Sequence, residues 1–204
     1  MISCSQLSLS YGEHTILNQF SIDIPSEGIT ALSGPSGCGK TSLLRILAGL
    51  EQPQTGTVTG FDPQKTAIQF QENRLFPWRT VEEHLTDVLP PHRASQLSHL
   101  LSLAQLEQAA KQLPKALSGG MQRRLSFVRT LALDASLYLL DEPFTGVDLP
   151  RITILMDFLK LLQLPVILST HETEVLQLAD RVIVLDGPPL RVIQVISHHN
   201  DVFL

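Results

Sequence analysis

Gly34-Pro35-Ser36-Gly37-Cys38-Gly39-Lys40-Thr41 fits the pattern G-x-x-x-x-G-K-[ST] and stands between an apolar run, Ile29-Thr30-Ala31-Leu32, and a helix-like run from Ser42 to Ala48. The apolar run reads as a buried strand. Leu43, Leu44, Ile46 and Leu47 give the following segment a helical face that ends near Gly49. The octapeptide therefore opens a helix, where backbone N–H groups have no partner within the helix and the dipole is positive. Such a loop cradles a polyphosphate: Lys40 reaches the outer phosphates and the Thr41 hydroxyl ligates magnesium. Ser33 and Ser42 flank the loop and are included in the predicted nucleotide contacts. The implied ligand is a nucleoside triphosphate with Mg²⁺.

A chain of 204 residues can bury one large core with a small subdomain, but not two such nucleotide domains. Any device with two sites must come from pairing chains. A composition of 43% hydrophobic and 17% charged residues excludes a disordered or fibrous chain. The net charge of -5 argues against a general nucleic-acid coat, so no nucleic-acid partner is expected. Cys4 and Cys38 have no metal-ligand spacing, which points to a reducing compartment without a disulfide framework. No run reaches the roughly 18 apolar residues of a membrane span, and the first residues lack a signal-peptide pattern. A membrane role must then be supplied by a partner.

Along the chain, β-rich segments come first: Leu7 to Leu9, Phe20 to Ile24, Ile29 to Leu32, Thr57 to Thr59 and Ala67 to Phe70. From Val81 to Leu113 the apolar spacing turns helical, between Pro77 and Pro114. There follow predicted helices over Gly119 to Leu133, Ile152 to Gln163 and Glu172 to Ala179, alternating with strands over Leu137 to Leu140, Val166 to Ser169 and Arg181 to Leu185, with a last strand over Arg191 to Ile196. The expected fold is α/β: a phosphate-loop NTPase core with a mostly parallel sheet, an N-terminal antiparallel β part and a small helical subdomain. The expected organisation is one domain over 1–204, with 1–76 and 115–204 as core and about 77–114 as the helical subdomain.

Leu137-Tyr138-Leu139-Leu140-Asp141-Glu142 is an apolar strand that ends abruptly in two carboxylates. In the centre of a sheet it would deliver both acids to the C-terminal edge, where ligands bind in open α/β folds. Facing a phosphate loop, Asp141 would hold Mg²⁺ and Glu142 could polarise an attacking water. The bland alternative is a solvated strand end stopped by Pro143. Leu117-Ser118-Gly119-Gly120-Met121-Gln122 is a second helix start, with Ser118 as N-cap and two glycines that leave the first-turn amides bare. Met121, Leu125, Val128 and Ala132 share one face of the helix it opens.

These three motifs, in this order, resemble the nucleotide-binding subunit of an ATP-binding cassette (ABC) transporter, from Tyr11 to about Asp186. The resemblance implies that Tyr11 stacks on adenine and that Gln71 lies in the loop joining the core to the helical subdomain, near the magnesium and the chemistry. It implies that Ser118, Gly119 and Gly120 face the ATP held by a second copy of the chain, so the active form is a sandwich dimer. Glu142 is then the general base, His171 senses the γ-phosphate and Asp148 couples the two sites. Further partners implied are a transmembrane permease subunit and a substrate-binding protein, with the chain cytoplasmic and peripheral on the inner face of the membrane. Phe76-Pro77-Trp78 resembles subunits that import nitrate, sulfonates or taurine. The alternative within the family is a soluble ATPase acting in assembly or on nucleic acid.

Several residues have rivals. Gln69, two residues earlier, is the competitor of Gln71, and Tyr11 could be a plain edge aromatic. His198-His199 and the remaining histidines other than His171 read as surface residues. The segment Phe144-Thr145-Gly146-Val147-Asp148 departs from the Ser-Ala-Leu-Asp more common in the family. The chain stops soon after its last strand, so no C-terminal regulatory module is expected.

Overall fold

The computed structural model describes residues 1–198, and His199 of the His198-His199 pair lies outside them. In chain order the elements are β1 (Ile2–Tyr11), β2 (His14–Ile24), β3 (Ile29–Ser33), α1 (Lys40–Leu47), β4 (Thr55–Thr59), β5 (Thr66–Gln69), α2 (Val81–Thr86), α3 (Leu97–Ala104), α4 (Gly119–Ala132), β6 (Leu137–Asp141), α5 (Leu149–Leu161), β7 (Val166–Ser169), α6 (Thr173–Leu178), β8 (Arg181–Asp186) and β9 (Arg191–Ser197). One sheet has the order β5-β6-β7-β3-β8-β9, parallel except for β9, and the other is the antiparallel β2-β1-β4. The expected α/β architecture, with its antiparallel N-terminal part, is the one found.

The central strands are apolar throughout because both faces of the sheet are covered. Along β6, Leu137 and Leu139 join the core formed with α1 and the antiparallel sheet, while Tyr138 and Leu140 join the core formed with α4 and α5. Strand period two then assigns Asp141 to the α1 side. That parity carries the site, because α1 begins with Lys40 and Thr41.

Several predicted bounds shift. β1 and β2 are far longer than their apolar stretches, because pairing runs from Ile2↔Ile24 to Tyr11↔His14, and irregularities at Gln6 and Gln19, both with positive φ, break the alternation that would have marked them. The segment predicted helical from Val81 to Leu113 is broken into α2, α3 and short 3₁₀ turns at Pro91–Gln96 and Glu107–Ala109, since the Pro90-Pro91 pair cannot continue a helix. α5 starts three residues before Ile152, because the Asp148 side chain accepts the Arg151 N–H at 3.1 Å and Pro150 suits the first turn. His84 is not a surface residue: it is buried on α2, with both ring nitrogens bonded to backbone. Among the described residues no helix is long and apolar enough to cross a membrane.

Candidate functional site

The loop between β3 and α1 depends on two glycines for separate reasons. Gly39 caps α1 with φ 118, a conformation that side chains resist, and no side chain caps the helix there. A Cβ on Gly34 would lie 2.4 Å from the Leu185 carbonyl oxygen, so only glycine lets the loop pass β8 this closely. Lys40 is buried to 8% exposure, and its Nζ donates to the carbonyls of Gly34 at 2.7 Å and Pro35 at 2.9 Å. A third, weaker contact runs from Nζ to Cys38 Sγ at 3.9 Å, so the ammonium is pinned beneath the loop with its charge beside the phosphate cradle. Cys38 is fully buried under the same loop, and Pro35, Ser36 and Gly37 are exposed at its crest.

Opposite the loop, Asp141 bridges two elements. Its Oδ2 accepts the Thr41 hydroxyl at 2.8 Å and its Oδ1 accepts the Ser169 hydroxyl at 2.6 Å. The next residue, Glu142, has φ 49, a strained backbone for a non-glycine and a feature concentrated at functional positions. Its N–H points back to Ser169, at 3.0 Å from the hydroxyl and 3.2 Å from the carbonyl. Its carboxylate accepts from His171 Nδ1, which lies 3.1 Å from Oε2. Lys40, Thr41, Gln71, Asp141 and Glu142 line a single cleft with Ser36, Gly37, Gly39, Ser42 and Ile16. Burial pushes the neighbouring Glu172 carboxyl up, His171 opposes the shift and Glu142 adds to it.

The donor set fits magnesium. Among the described residues no cluster of three His, Cys, Asp or Glu could hold a metal alone. Mg²⁺ is commonly held by one or two carboxylates, with phosphates and water completing the shell. The Thr41 hydroxyl, the Asp141 carboxylate and the Gln71 amide are hard oxygen donors of that kind, on one cleft.

Gln71 lines this cleft, whereas its rival Gln69 is buried on the α4 side of β5 with neither amide atom hydrogen-bonded. Arg123 is the residue that sequence reasoning missed. It donates from α4 to the Gln71 carbonyl at 2.5 Å, and burial lowers its pKa while Glu142, Asp141 and Glu72 oppose that. The only signal for it was its position three residues after the Gly119-Gly120 pair.

Ser118, Gly119 and Gly120 are not among the residues that line the cleft. Ser118 caps α4 by accepting the Met121 N–H at 3.3 Å, and Ser118 and Gly119 are exposed. Gly120 faces the Gly146 carbonyl, so this helix start and the loop before Asp148 form a common surface. Tyr11 is 43% exposed at the end of β1 and stands outside the cleft lining. The unusual Phe144 has a packing reason: it is 1% exposed and its ring lies 5.4 Å from Phe127.

Comparisons with known proteins agree with one another. Residues 17–145 match the family described as ABC transporter. The chain is 41% identical to the aliphatic sulfonates import ATP-binding protein SsuB 2 of Pseudomonas syringae pv. tomato over 187 residues, covering 88% of this chain and 80% of that protein. It is 37% identical over 209 residues to the sulfate/thiosulfate import ATP-binding protein CysA of Vibrio vulnificus, covering 91% of this chain but spanning only 61% of that protein's length. In structure it is similar to the dimeric bacterial ABC transporter cassette MJ0796, with a TM-score of 0.85 at 24% identity, over 98% of this chain and 100% of that one.

Proposed function

This chain belongs to the ABC transporter family, and from that premise we propose that it is an ATP-hydrolysing subunit that powers import of a small solute, of the sulfonate or sulfate kind that its relatives' names carry. The observation that carries the reading is the Thr41–Asp141 hydrogen bond with Glu142 adjacent. It joins phosphate-loop, metal-binding and water-activating groups in one cleft. We read 1–204 as one domain, with 1–76 and 115–204 as core and about 77–114 as the helical subdomain.

Phosphoryl transfer asks a protein for positioning and for charges opposite the oxygens that become negative. Lys40 and the loop amides supply those charges around the outer phosphates. Thr41 and Asp141, with Gln71 beside them, would hold Mg²⁺, which would supply charge neutralisation when bound. Glu142 takes the proton of the attacking water, and His171 holds that carboxylate in place through Nδ1 while sensing the γ-phosphate. Tyr11 stacks on the adenine. Ser33 to Ser42 contribute the remaining nucleotide contacts.

Ser118 and Gly119 are exposed and, with Gly120, lie outside their own chain's cleft, which supports their use on the ATP of a second copy. Closing two copies then completes each site, and hydrolysis removes the group that bridges them. Asp148, beside Gly146 on the shared surface, links the two sites. A transmembrane permease subunit would grip the exposed edge near Gln71, Phe76 and Trp78, with the protein on the cytoplasmic face and a substrate-binding protein delivering cargo.

The test mixes a Ser118→Arg chain with a Lys40→Ala chain. Each homodimer is expected to be inactive, while the heterodimer regains one intact composite site and measurable phosphate release. No recovery on mixing overturns the sandwich. Co-purification with a polytopic membrane protein in detergent checks the transport role separately.

A further inference from the structure

Phe76 is 48% exposed and Trp78 is 71% exposed, their ring centroids 5.7 Å apart, in a segment between β5 and α2 that has no regular structure of its own. A loop with so little secondary structure needs another anchor to present an aromatic edge in a defined position. His84 provides one. Its ring is 1% exposed, and its Nε2 accepts the Phe76 backbone N–H at 2.9 Å. Its Nδ1 lies 2.7 Å from the Thr80 carbonyl oxygen. A carbonyl only accepts and a backbone N–H only donates, so the proton must sit on Nδ1 and Nε2 must be bare. The imidazole also stacks on Phe76, centroids 5.9 Å apart and planes at 20°.

The charges facing the ring come from three directions. Glu83 lies on α2 and Asp87 caps its C-terminal end, and both pair with Arg79 of the loop. Arg129 comes from α4, donates to the carbonyls of Arg74 and Asn73, and sits 6.0 Å from the Phe76 ring. Burial holds the pKa of His84 below its ordinary value; the Thr80 bond opposes this, Arg129 adds to it, and Asp87 and Glu83 oppose it.

We propose that His84 is the positioning residue of the Phe76–Trp78 edge and that it holds this edge only while uncharged. A proton on Nε2 sets an N–H against the Phe76 N–H, removes the only acceptor in that contact and releases the loop. The consequence for partner engagement, weaker docking in acid, rests on the docking reading above. The latch itself rests on the hydrogen bonds and is tested without any partner.

Trp78 is the chain's sole tryptophan, so emission excited where tyrosine does not absorb reports this loop alone. Emission maximum and acrylamide quenching are followed from pH 8 to pH 5 for the unmodified protein and for His84→Gln, whose amide oxygen accepts but does not titrate, with far-UV circular dichroism as a check on folding. Expected is a reversible increase in quenching with a midpoint below the free-histidine value of about 6.5, the released-to-held ratio rising about tenfold per pH unit beneath it, and a flat profile for His84→Gln. Ring ¹⁵N shifts at pH 8 should give the Nδ1–H tautomer. An unmodified loop unchanged down to pH 5, an identical transition in His84→Gln, or a neutral ring protonated on Nε2 overturns the proposal. Should His84→Gln fail to fold, the ring and Phe76 amide shifts of the unmodified protein decide: a Phe76 amide that does not move as the ring titrates overturns it equally.

Discussion

The Thr41 hydroxyl donates a 2.8 Å hydrogen bond to Oδ2 of Asp141, 100 residues further along the chain. It ties the first turn of α1 to the end of β6 and brings together the two oxygens proposed to hold Mg²⁺. Thr41→Val keeps the branched shape and deletes the donor. ATPase activity should fall roughly 10²- to 10³-fold, the several kcal/mol that a positioned metal ion supplies. Chelating divalent cations with EDTA should stop the parent enzyme in the same phosphate-release assay, and added Mg²⁺ should restore the parent far better than the variant.

Glu142→Gln retains the side-chain shape and removes the proposed base. Turnover should drop roughly 10²- to 10⁴-fold, the usual contribution of a positioned general base, while ATP binding survives. Size-exclusion chromatography with ATP should then find the variant as a persistent dimer. Unchanged turnover removes Glu142 from the role of base.

Phe144 tests whether the unusual loop residue is a packing device. It is 1% exposed against Phe127, so Phe144→Ala should cost about 3–5 kcal/mol, a large-to-small core loss. Thermal denaturation should register this as a fall of about 10 °C in Tm for a chain of this size.

The cysteines should be silent to thiol reagents in the folded protein, since Cys4 is 3% exposed and Cys38 0%. Burial, with a smaller push from Asp23, raises the Cys4 pKa to about 12. A raised folded pKa means stability present below the unfolded thiol value near 8.5 and lost as pH rises above it toward 12. Iodoacetamide labelling at pH 8 should therefore track global unfolding in denaturant, and chemical stability should decline between pH 9 and pH 11. Rapid labelling of the native protein at pH 8 would contradict the burial.

Much of the site is visible in the residue order because its parts are local. The glycine spacing of Gly34 to Thr41 and the abrupt change from Leu140 to Asp141 each mark a short segment whose geometry is set within a few bonds. Gln71 could not be separated from Gln69 in that way, since residues two apart share one strand parity, and only the end of β5 at Gln69 decides which of the two reaches the cleft. Arg123 and His84 were passed over for a related cause. Their partners, the Gln71 and Thr80 carbonyls and the Phe76 N–H, are backbone groups, which every sequence contains and no sequence pattern advertises.

The sequence by itself determined that this chain folds as an α/β nucleotide-binding unit with one phosphate loop and two acids at a strand end, because periodicity, glycine freedom and burial act over short stretches. Only the tertiary structure decided that Asp141 faces Thr41 rather than α4, that Glu142 is held by His171 and Ser169, and that His84 is an interior anchor. Those facts depend on which strand lies beside which. That order is settled by the packing of two cores on opposite faces of one sheet, a balance over the whole chain.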